Sequence, residues 1–284
     1  YKRQLYLSNR DHSVCVVDNY FRRNICKRLN SPPLFPVGKV LERSKLWLAE
    51  SGYDIGVSDG DITDYEFLLQ TIRTAHPDVI VHYAEQPSAP YSMLGYEQAR
   101  FTLSNNLIGT LNVAFAVKDI NPDIHIVKLG TMGEYGTPNI DIEEGFIELI
   151  HKGRQDRLLF PRQANSLYHT TKIQDTDLLY FFVRMSSLRV TDLMQGPVYG
   201  LLTPEMAGDI QLSTLFNYDS VFGTVLNRFM VQAVAGIPLT VYGSGGQTRG
   251  YLNLVDTLEC VRLAINLPSK RGELRIFNQF TETY

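Results

Sequence analysis

A tyrosine and a lysine four residues apart, Tyr168 and Lys172, are the pair in this chain whose types and spacing best suit proton transfer. On a helix, residues i and i+4 share one face, so the ammonium would lie one turn from the phenol. A free phenol titrates near ~10 and accepts protons poorly at neutral pH unless a nearby cation stabilises the phenolate. We therefore expect Lys172 to lower the pKa of Tyr168 and make it a usable base. The spacing alone is common on surface helices, so the pair needs support from other residues.

A glycine-flanked turn is expected upstream of this pair, at residues 129–136 with the sequence LGTMGEYG. Thr131 in this turn is the candidate to place a third hydroxyl at the same site. The pair itself belongs to a helix that is expected to begin at Ser166 and to continue to residue 182 or 187. Threonine, tyrosine and lysine brought together in this way would form a proton-transfer set.

Apolar, β-branched runs alternate with helical patterns along most of the chain, which is typical of βαβ units and a parallel sheet. The strands are expected at residues 13–17, 54–57, 78–83, 125–129 and 189–194. The helices are expected at residues 40–51, 65–75, 97–118, 166–187, 221–235 and 254–266. Asp64 is placed to cap the second helix. We predict an α/β fold with a Rossmann-type, doubly wound parallel sheet over residues 1–196 and a smaller substrate domain over residues 197–284.

The first expected strand leads into Asp18 and Asn19, the position from which a dinucleotide fold bonds the ribose hydroxyls of adenosine. An acid there favours NAD over NADP, although an ordinary turn residue is an equally good interpretation. The glycine fingerprint that should precede this strand is absent. Residues 1–9 resemble the helix that normally follows the fingerprint. We therefore expect the first strand and glycine loop to be missing, and the last part of the chain to be cut as well. Further candidate cofactor contacts, each weak alone, are Arg22, Asp61, Ile62, Tyr83, Glu85 and Asn105.

Composition argues against several classes of function. The 284 residues carry 27 Lys and Arg against 30 Asp and Glu, a formal net charge of −3, so no basic face recommends nucleic acid. Cys15, Cys26 and Cys260 are far apart and lack metal-ligand spacing, which argues against a disulfide framework and against a metal site. No apolar run approaches the ~18 residues that span a bilayer. We expect a soluble protein with a small-molecule substrate and no metal.

Thr131, Tyr168 and Lys172 together match the catalytic triad of short-chain dehydrogenases. The resemblance is closer to one sugar-nucleotide branch of that superfamily, the UDP-sulfoquinovose synthases. The segments that carry it are residues 88–93, 128–145, 168–169, 221–228 and 241–251. The run TMGEYG at residues 131–136 is far more specific than any motif shared by the whole superfamily.

The resemblance implies an enzyme that makes UDP-sulfoquinovose from UDP-glucose and sulfite, or a protein sulfur donor, with a tightly held NAD. Tyr168 would take the proton of the C4 hydroxyl, directly or through Thr131, while hydride passes to NAD. Water would then leave C6, sulfite would add there, and hydride would return to C4. Met132 replaces an acid of the related dehydratases and would form an apolar wall beside C6. Glu134 or His169 would handle the C5 and C6 protons.

The resemblance also implies which residues hold the ligands. Gln195 and Val198 fall where the family touches sugar and nicotinamide, and Arg249 resembles the arginine that binds the diphosphate. The other residues expected to bind the UDP-sugar are Thr224, Asn227, Arg228, Gln247 and Thr248. Pro87 departs from the plant-type pattern, which has an arginine there, and Lys128 is a candidate for the missing role.

A homodimer is expected by analogy with related enzymes, in the cytoplasm or in a plastid stroma. Its product would serve sulfolipid or sulfonated glycan synthesis, and its carbon–sulfur chemistry is formally classed with the hydrolases.

Two alternatives remain open. An NAD-dependent UDP-sugar epimerase or dehydratase would use the same Thr131, Tyr168 and Lys172, and Met132 counts against it. A non-catalytic dinucleotide-fold binding protein is suggested by the absent glycine loop, and the intact proton-transfer set counts against that.

Overall fold

The computed structural model describes residues 2–206, 208–241 and 248–283. Its strands are β1 (Val14–Asp18), β2 (Ile55–Asp59), β3 (Val79–His82), β4 (His125–Thr131), β5 (Phe146–His151), β6 (Arg154–Leu159), β7 (Arg189–Gln195), β8 (Val198–Tyr199), β9 (Gly250–Asn253), β10 (Glu273–Gln279) and β11 (Glu282–Thr283). Its α-helices are α1 (Lys2–Ser8), α2 (Phe21–Arg28), α3 (Val40–Ser51), α4 (Tyr65–Ala75), α5 (Ala89–Ser92), α6 (Tyr96–Ile120), α7 (Leu167–Ser186), α8 (Val225–Val234) and α9 (Leu254–Asn266).

The main sheet has the strand order β10-β7-β4-β3, and its neighbouring strands are parallel. Thr131 lies opposite Gln195 where β4 and β7 end. Because parallel strands end at the same edge, this edge collects the polar side chains that follow each strand. The expected α/β fold with a Rossmann-type parallel sheet is confirmed.

Helices cover both faces of this sheet, as the strand period of two requires. On one face Ile126 and Val190 join the core with residues of α4, α6 and α7. On the other face Val127 packs with Val261 and Ala264 of α9. The polar edge is therefore held from both sides by packed helices.

A cavity of about 1560 Å³ lies along the strand edge. The strands β1 and β2 form a parallel pair of their own, and residues of both β1 and β3 line this cavity. In the described parts of the chain the parallel strands thus do not form one continuous sheet. The cavity reaches from this interruption to the ends of β4 and β7.

Several elements match their expected bounds, and others were missed. The helices at 40–51, 65–75 and 254–266 are confirmed, and Asp64 caps α4 by accepting a hydrogen bond from the Phe67 amide at 3.1 Å. The hairpin β5–β6 was not predicted. Its signal was the Lys152-Gly153 pair, whose positive φ angles of 49° and 74° are typical of a two-residue hairpin turn.

The expected division at residue 196 does not follow the main sheet. β10 lies in the second part of the chain, yet it pairs along its length with β7. The physical reason is that a later strand can pair with the open edge of a sheet. The order of residues along the chain does not show which strand will do so.

Candidate active site

Helix α7 places Tyr168 and Lys172 inside the molecule. It begins at Ser166, whose Oγ accepts a hydrogen bond from the His169 amide at 3.1 Å, a normal N-cap. Tyr168 is 7% exposed and Lys172 is fully buried. The Tyr168 amide donates to Ser92 Oγ at 3.1 Å, which ties the start of α7 to α5. The pair thus has fixed positions, and Tyr168 lines the cavity.

The Lys172 ammonium is bound by carboxylates. Its Nζ donates to both oxygens of Glu85, at 2.5 Å to Oε2, and lies 3.4 Å from Asp175 Oδ2. Burial and then the Glu85 carboxylate raise the pKa of Tyr168 well above that of a free phenol. The net shift of this pKa is therefore opposite to the lowering expected from Lys172, whose ammonium is bound by Glu85.

Thr131 ends β4 and begins the turn that faces α7. Its Oγ1 accepts a hydrogen bond from the Gly133 amide at 3.2 Å, and both Thr131 and Met132 line the cavity. His169 packs directly over Gly133, since a Cβ built there would stand 2.4 Å from His169 Nε2. A glycine at this position therefore lets the imidazole approach the turn.

Glu134 is turned away from the cavity. It is fully buried, and its Oε1 accepts from Lys128 Nζ at 3.2 Å and from the Thr131 amide at 3.3 Å. Lys128 also donates to Asp192 Oδ2 at 3.0 Å and to Thr176 Oγ1 at 2.6 Å. Neither Glu134 nor Lys128 lines the cavity. The structure therefore brings them together as a support beneath the turn, away from the cavity where Glu134 was expected to handle substrate protons and Lys128 to replace the missing cation.

His169 does reach the cavity. Its Nδ1 lies 3.1 Å from Ser166 Oγ. Burial lowers the pKa of His169 to about 4, and the nearby Arg249 charge acts in the same direction. The imidazole is thus neutral at physiological pH, with Arg249 close by.

At the end of β1 lie the residues expected to hold adenosine. Asp18 Oδ1 accepts from the Tyr20 amide at 2.7 Å, and Asn19 Nδ2 donates to Asp61 Oδ2 at 2.8 Å. Asp18, Asn19 and Arg22 line the cavity, whereas Asp61 does not. Asp61 instead accepts from the Thr63 amide at 2.9 Å and holds the turn after β2. The structure therefore brings Asp18 and Asn19 to the cavity and gives Asp61 a role in the turn.

The remaining expected cofactor contacts are found along the cavity wall. They are Ile62, Tyr83, Glu85, Asn105, Gln195 and Val198. Tyr83 lies under the guanidinium of Arg3, whose carbon is 3.7 Å from the ring centroid. Gln195 Nε2 donates to Gln279 Oε1 at 2.9 Å, so its side chain is fixed by β10.

The residues expected to bind the UDP-sugar divide into two groups. Thr224, Asn227, Thr248 and Arg249 line the cavity. Arg228 does not, and its Nη2 donates to the Thr240 carbonyl at 3.3 Å instead. Gln247 lies outside the residues that the structure describes.

Sequence reasoning missed the buried ion pairs around the site. Lys128 and Asp192 are charged residues within apolar strands, and they are register partners on β4 and β7. Two opposite charges in adjacent buried strands indicate a pair, since an isolated buried charge is too costly. The Glu85–Lys172 contact has no such local signal, because it joins residues 87 positions apart.

Two searches of the described ranges complete the inventory. Within residues 2–206, 208–241 and 248–283, no group of three or more His, Cys, Asp or Glu side chains is placed to hold a metal ion. No helix in these same ranges has both the length and the apolar character needed to cross a membrane.

Comparisons with known proteins agree with this geometry. Residues 5–278 match the NAD dependent epimerase/dehydratase family. The chain is 52% identical over 280 residues to UDP-sulfoquinovose synthase, chloroplastic, of Spinacia oleracea, covering 99% of this chain and 58% of that protein. It is 46% identical over 281 residues to UDP-sulfoquinovose synthase of Sulfolobus acidocaldarius, covering 99% of this chain and 71% of that one. The chain thus spans less than two thirds of its spinach relative.

Solved structures share the fold at low identity. UDP-glucose 4-epimerase from Bifidobacterium longum, in complex with NAD+ and UDP, superposes with a TM-score of 0.71 at 18% identity, covering 100% of this chain and 75% of that chain. UDP-glucose 4-epimerase from Thermotoga maritima, with UDP-glucose, gives a TM-score of 0.68 at 18% identity, covering 98% and 72%. Similarity at this level shows the fold alone.

Proposed function

The chain belongs to the NAD dependent epimerase/dehydratase family and, within it, to the UDP-sulfoquinovose synthases, and we propose that it makes UDP-sulfoquinovose from UDP-glucose and sulfite with NAD. The observation that carries the proposal is the 46% identity to a relative of which the chain covers 71%. The geometry supports it because Thr131, Met132, Tyr168 and His169 all line one cavity.

The residues present fit the two ends of a dinucleotide. Asp18 lies at the end of β1 on the cavity wall, where it would accept hydrogen bonds from the ribose hydroxyls of adenosine. Gln195 and Asn105 line the same cavity near the ends of the central strands and would hold the nicotinamide end. When bound, NAD accepts a hydride from C4 of the sugar and later returns it.

Tyr168 would accept the C4 hydroxyl proton, with Thr131 bonding the same oxygen. The backbone amide of Tyr168 is held by Ser92 and the side chain of Thr131 by the Gly133 amide, so little reorganisation is needed to hold this hydroxyl. The resulting C4 ketone makes the C5 proton acidic. That acidity allows water to leave from C6 and a conjugated acceptor to form on the sugar.

His169 is the residue we assign to the C5 and C6 protons. It is neutral at physiological pH and lines the cavity, so its imidazole would accept a proton from a sugar bound there. Glu134 is assigned a supporting part instead, since its carboxylate accepts from the Thr131 amide and Lys128.

Sulfite would add at C6 beside Met132, which offers an apolar wall with no competing proton. Pro87 lines the cavity at the position where an arginine was expected. We therefore assign anion binding to Arg249, which also lines the cavity and whose charge acts on His169. A guanidinium at this place suits either the diphosphate or the incoming sulfite. Thr224 and Asn227 would hold the nucleotide from α8.

A homodimer in a sulfolipid or sulfonated glycan pathway, formally a hydrolase, completes the proposal. Large apolar side chains are exposed on neighbouring helices α6 and α7, which suits a symmetric contact. They are Ile108, Phe115, Phe181 and Met185, with exposed fractions of 42%, 39%, 49% and 69%.

Mass spectrometry of the nucleotide sugar tests the proposal directly. The purified protein is incubated with NAD, UDP-glucose and sulfite, and a sulfonated UDP-hexose is the expected product. A UDP-hexose altered but free of sulfur would show an epimerase or dehydratase instead. Unchanged UDP-glucose, with NAD bound, would point to another sulfur donor or to a binding protein.

A further inference from the structure

Glu85 follows β3 and is 4% exposed, so solvent screens its charge only weakly. Both of its carboxylate oxygens accept hydrogen bonds from Lys172 Nζ. Two short contacts from one ammonium to one carboxylate make this the dominant interaction of Lys172, since its other carboxylate partner, Asp175, is 3.4 Å away.

On its other side, Glu85 lies near the imidazole of His82. His82 Nε2 lies 4.0 Å from Glu85 Oε1 and 3.0 Å from Thr110 Oγ1. Burial lowers the pKa of His82 to about 4, so this imidazole is neutral at physiological pH. The Glu85 charge is therefore balanced by Lys172.

The Tyr168 phenol experiences the sum of these charges. The charged groups that act most strongly on the Tyr168 phenol are Glu85, Glu134, Lys128 and Asp175. The three carboxylates of this set also act on Lys172. Among the charges acting on the phenol, Glu85 has the largest effect, and it opposes ionisation. An ammonium held by a carboxylate gives a phenolate less support than a free one, because their fields largely cancel.

We propose that Glu85 is a positioning residue that holds the Lys172 ammonium and thereby sets how strongly it stabilises the Tyr168 phenolate. The inference rests on the proposed function, in which Tyr168 is the base. It deepens that function by naming the residue that restrains the base. Lys172 must share its hydrogen bonds between Glu85 and whatever negative charge appears at the phenol oxygen.

Fluorine NMR of protein labelled with 3-fluorotyrosine tests this without turnover. The Tyr168 resonance is assigned as the one lost in Tyr168→Phe, and its chemical shift is followed with pH in the wild type and in Glu85→Gln. Fluorination lowers the phenol pKa in every variant alike, and the titration is followed over the pH range in which circular dichroism shows that the fold persists. We expect Tyr168 in Glu85→Gln to titrate at least about one pH unit lower, a tenfold increase in phenolate at a given pH.

Glu134→Gln is the matched control, because it removes another buried carboxylate that acts on Tyr168 but bonds Lys128 rather than Lys172. Its shift should be clearly smaller than that of Glu85→Gln. Equal shifts in the two variants would mean that only the loss of charge matters, and would overturn the role of the Lys172 contact. An unshifted resonance in Glu85→Gln would overturn it as well.

Glu85→Asp provides a second variant that keeps the charge and shortens the side chain by one methylene. In Glu85→Asp, Tyr168 is expected to titrate at a pH between those of the wild type and of Glu85→Gln. If Glu85→Gln does not fold, Glu85→Asp is compared with the wild type alone. A Tyr168 titration identical to that of the wild type would then overturn the inference. The resonance needs neither NAD nor sugar. A shifted resonance in a protein without synthase activity would therefore refute only the proposed function, and an active protein with an unshifted resonance would refute only the role of Glu85.

Discussion

The two sides of the cavity are built in different ways. On the side of β4 and α7, the reactive groups come from regular elements and stand on a buried ionic network that includes Lys128, Asp192 and Lys172. On the opposite side, α8 has no buried residue, and Arg249 lies on the segment that leads into β9. The residues to which we assign chemistry are thus positioned by the core of the fold, whereas those to which we assign nucleotide binding lie on segments outside it.

This difference teaches where substitutions should act. Changes on the β4–α7 side should alter the chemical step and the free energy of unfolding together, since the same contacts serve both. Changes on the α8 side should alter ligand affinity with little effect on folding. The predictions below follow this contrast from the largest expected effect to the smallest.

Tyr168→Phe removes the group that we propose as proton acceptor and leaves the packing of α7 in place. We expect kcat to fall by about 10²–10⁴-fold, the usual contribution of a positioned acid or base. Tyr180→Phe, on the same helix with its ring 6.1 Å from that of Phe146, is the control and should keep near wild-type activity. A Tyr168→Phe enzyme with undiminished kcat would show that the base lies elsewhere.

Asp192→Asn breaks the buried ion pair beneath the turn. Removing one partner of such a pair typically costs ~3–5 kcal/mol in the free energy of unfolding. Asp123→Asn removes the partner of exposed Arg271, 3.2 Å away, and should cost under about 1 kcal/mol. Urea denaturation measures both, and equal losses would erase the contrast between buried network and surface.

Gly133→Ala introduces a methyl group into the space of the His169 imidazole. The ring must move, and a displacement of about 1 Å in a catalytic group can cost roughly 10²-fold in kcat. Gly208→Ala is the matched control, because a Cβ there meets no atom within 4 Å. Steady-state kinetics that leave Gly133→Ala at the level of this control would exclude His169 from the chemical step.

The N-caps of α7 and α8, Ser166 and Thr224, give the smallest expected effects. Ser166 caps α7 at 3.1 Å and also contacts His169 Nδ1, whereas Thr224 caps α8 through a contact of 3.5 Å. Ser166→Ala should cost ~1 kcal/mol in the free energy of unfolding, and Thr224→Ala should cost a few tenths. Thermal unfolding measures both losses, and a larger loss for Thr224→Ala would reverse the proposed order of rigidity.

Much of the fold followed from local pattern. The helices at residues 40–51, 65–75 and 254–266 were predicted to the residue because apolar spacing and caps mark their ends. The return of β10 to the main sheet depends on long-range pairing, which no local pattern shows.

The sequence motifs predicted candidate residues for a site, but they did not predict the charges around those residues. Thr131, Tyr168 and His169 do line one cavity, as their motifs suggested. The state of Lys172 could not be predicted, because it depends on Glu85, which reaches it from another element. Glu134 shows the same difficulty, since a residue in a catalytic turn can point to either side of it.

Deuterium at C4 of the substrate provides the most direct test of the central claim, that one site oxidises C4 and then reduces it again. UDP-[4-²H]glucose is converted with sulfite and NAD, and the product is analysed by NMR and mass spectrometry. The account predicts a sulfonated product that retains deuterium at C4, because the same hydride leaves and returns within one closed cycle. A sulfonated product that carries ordinary hydrogen at C4 would contradict it.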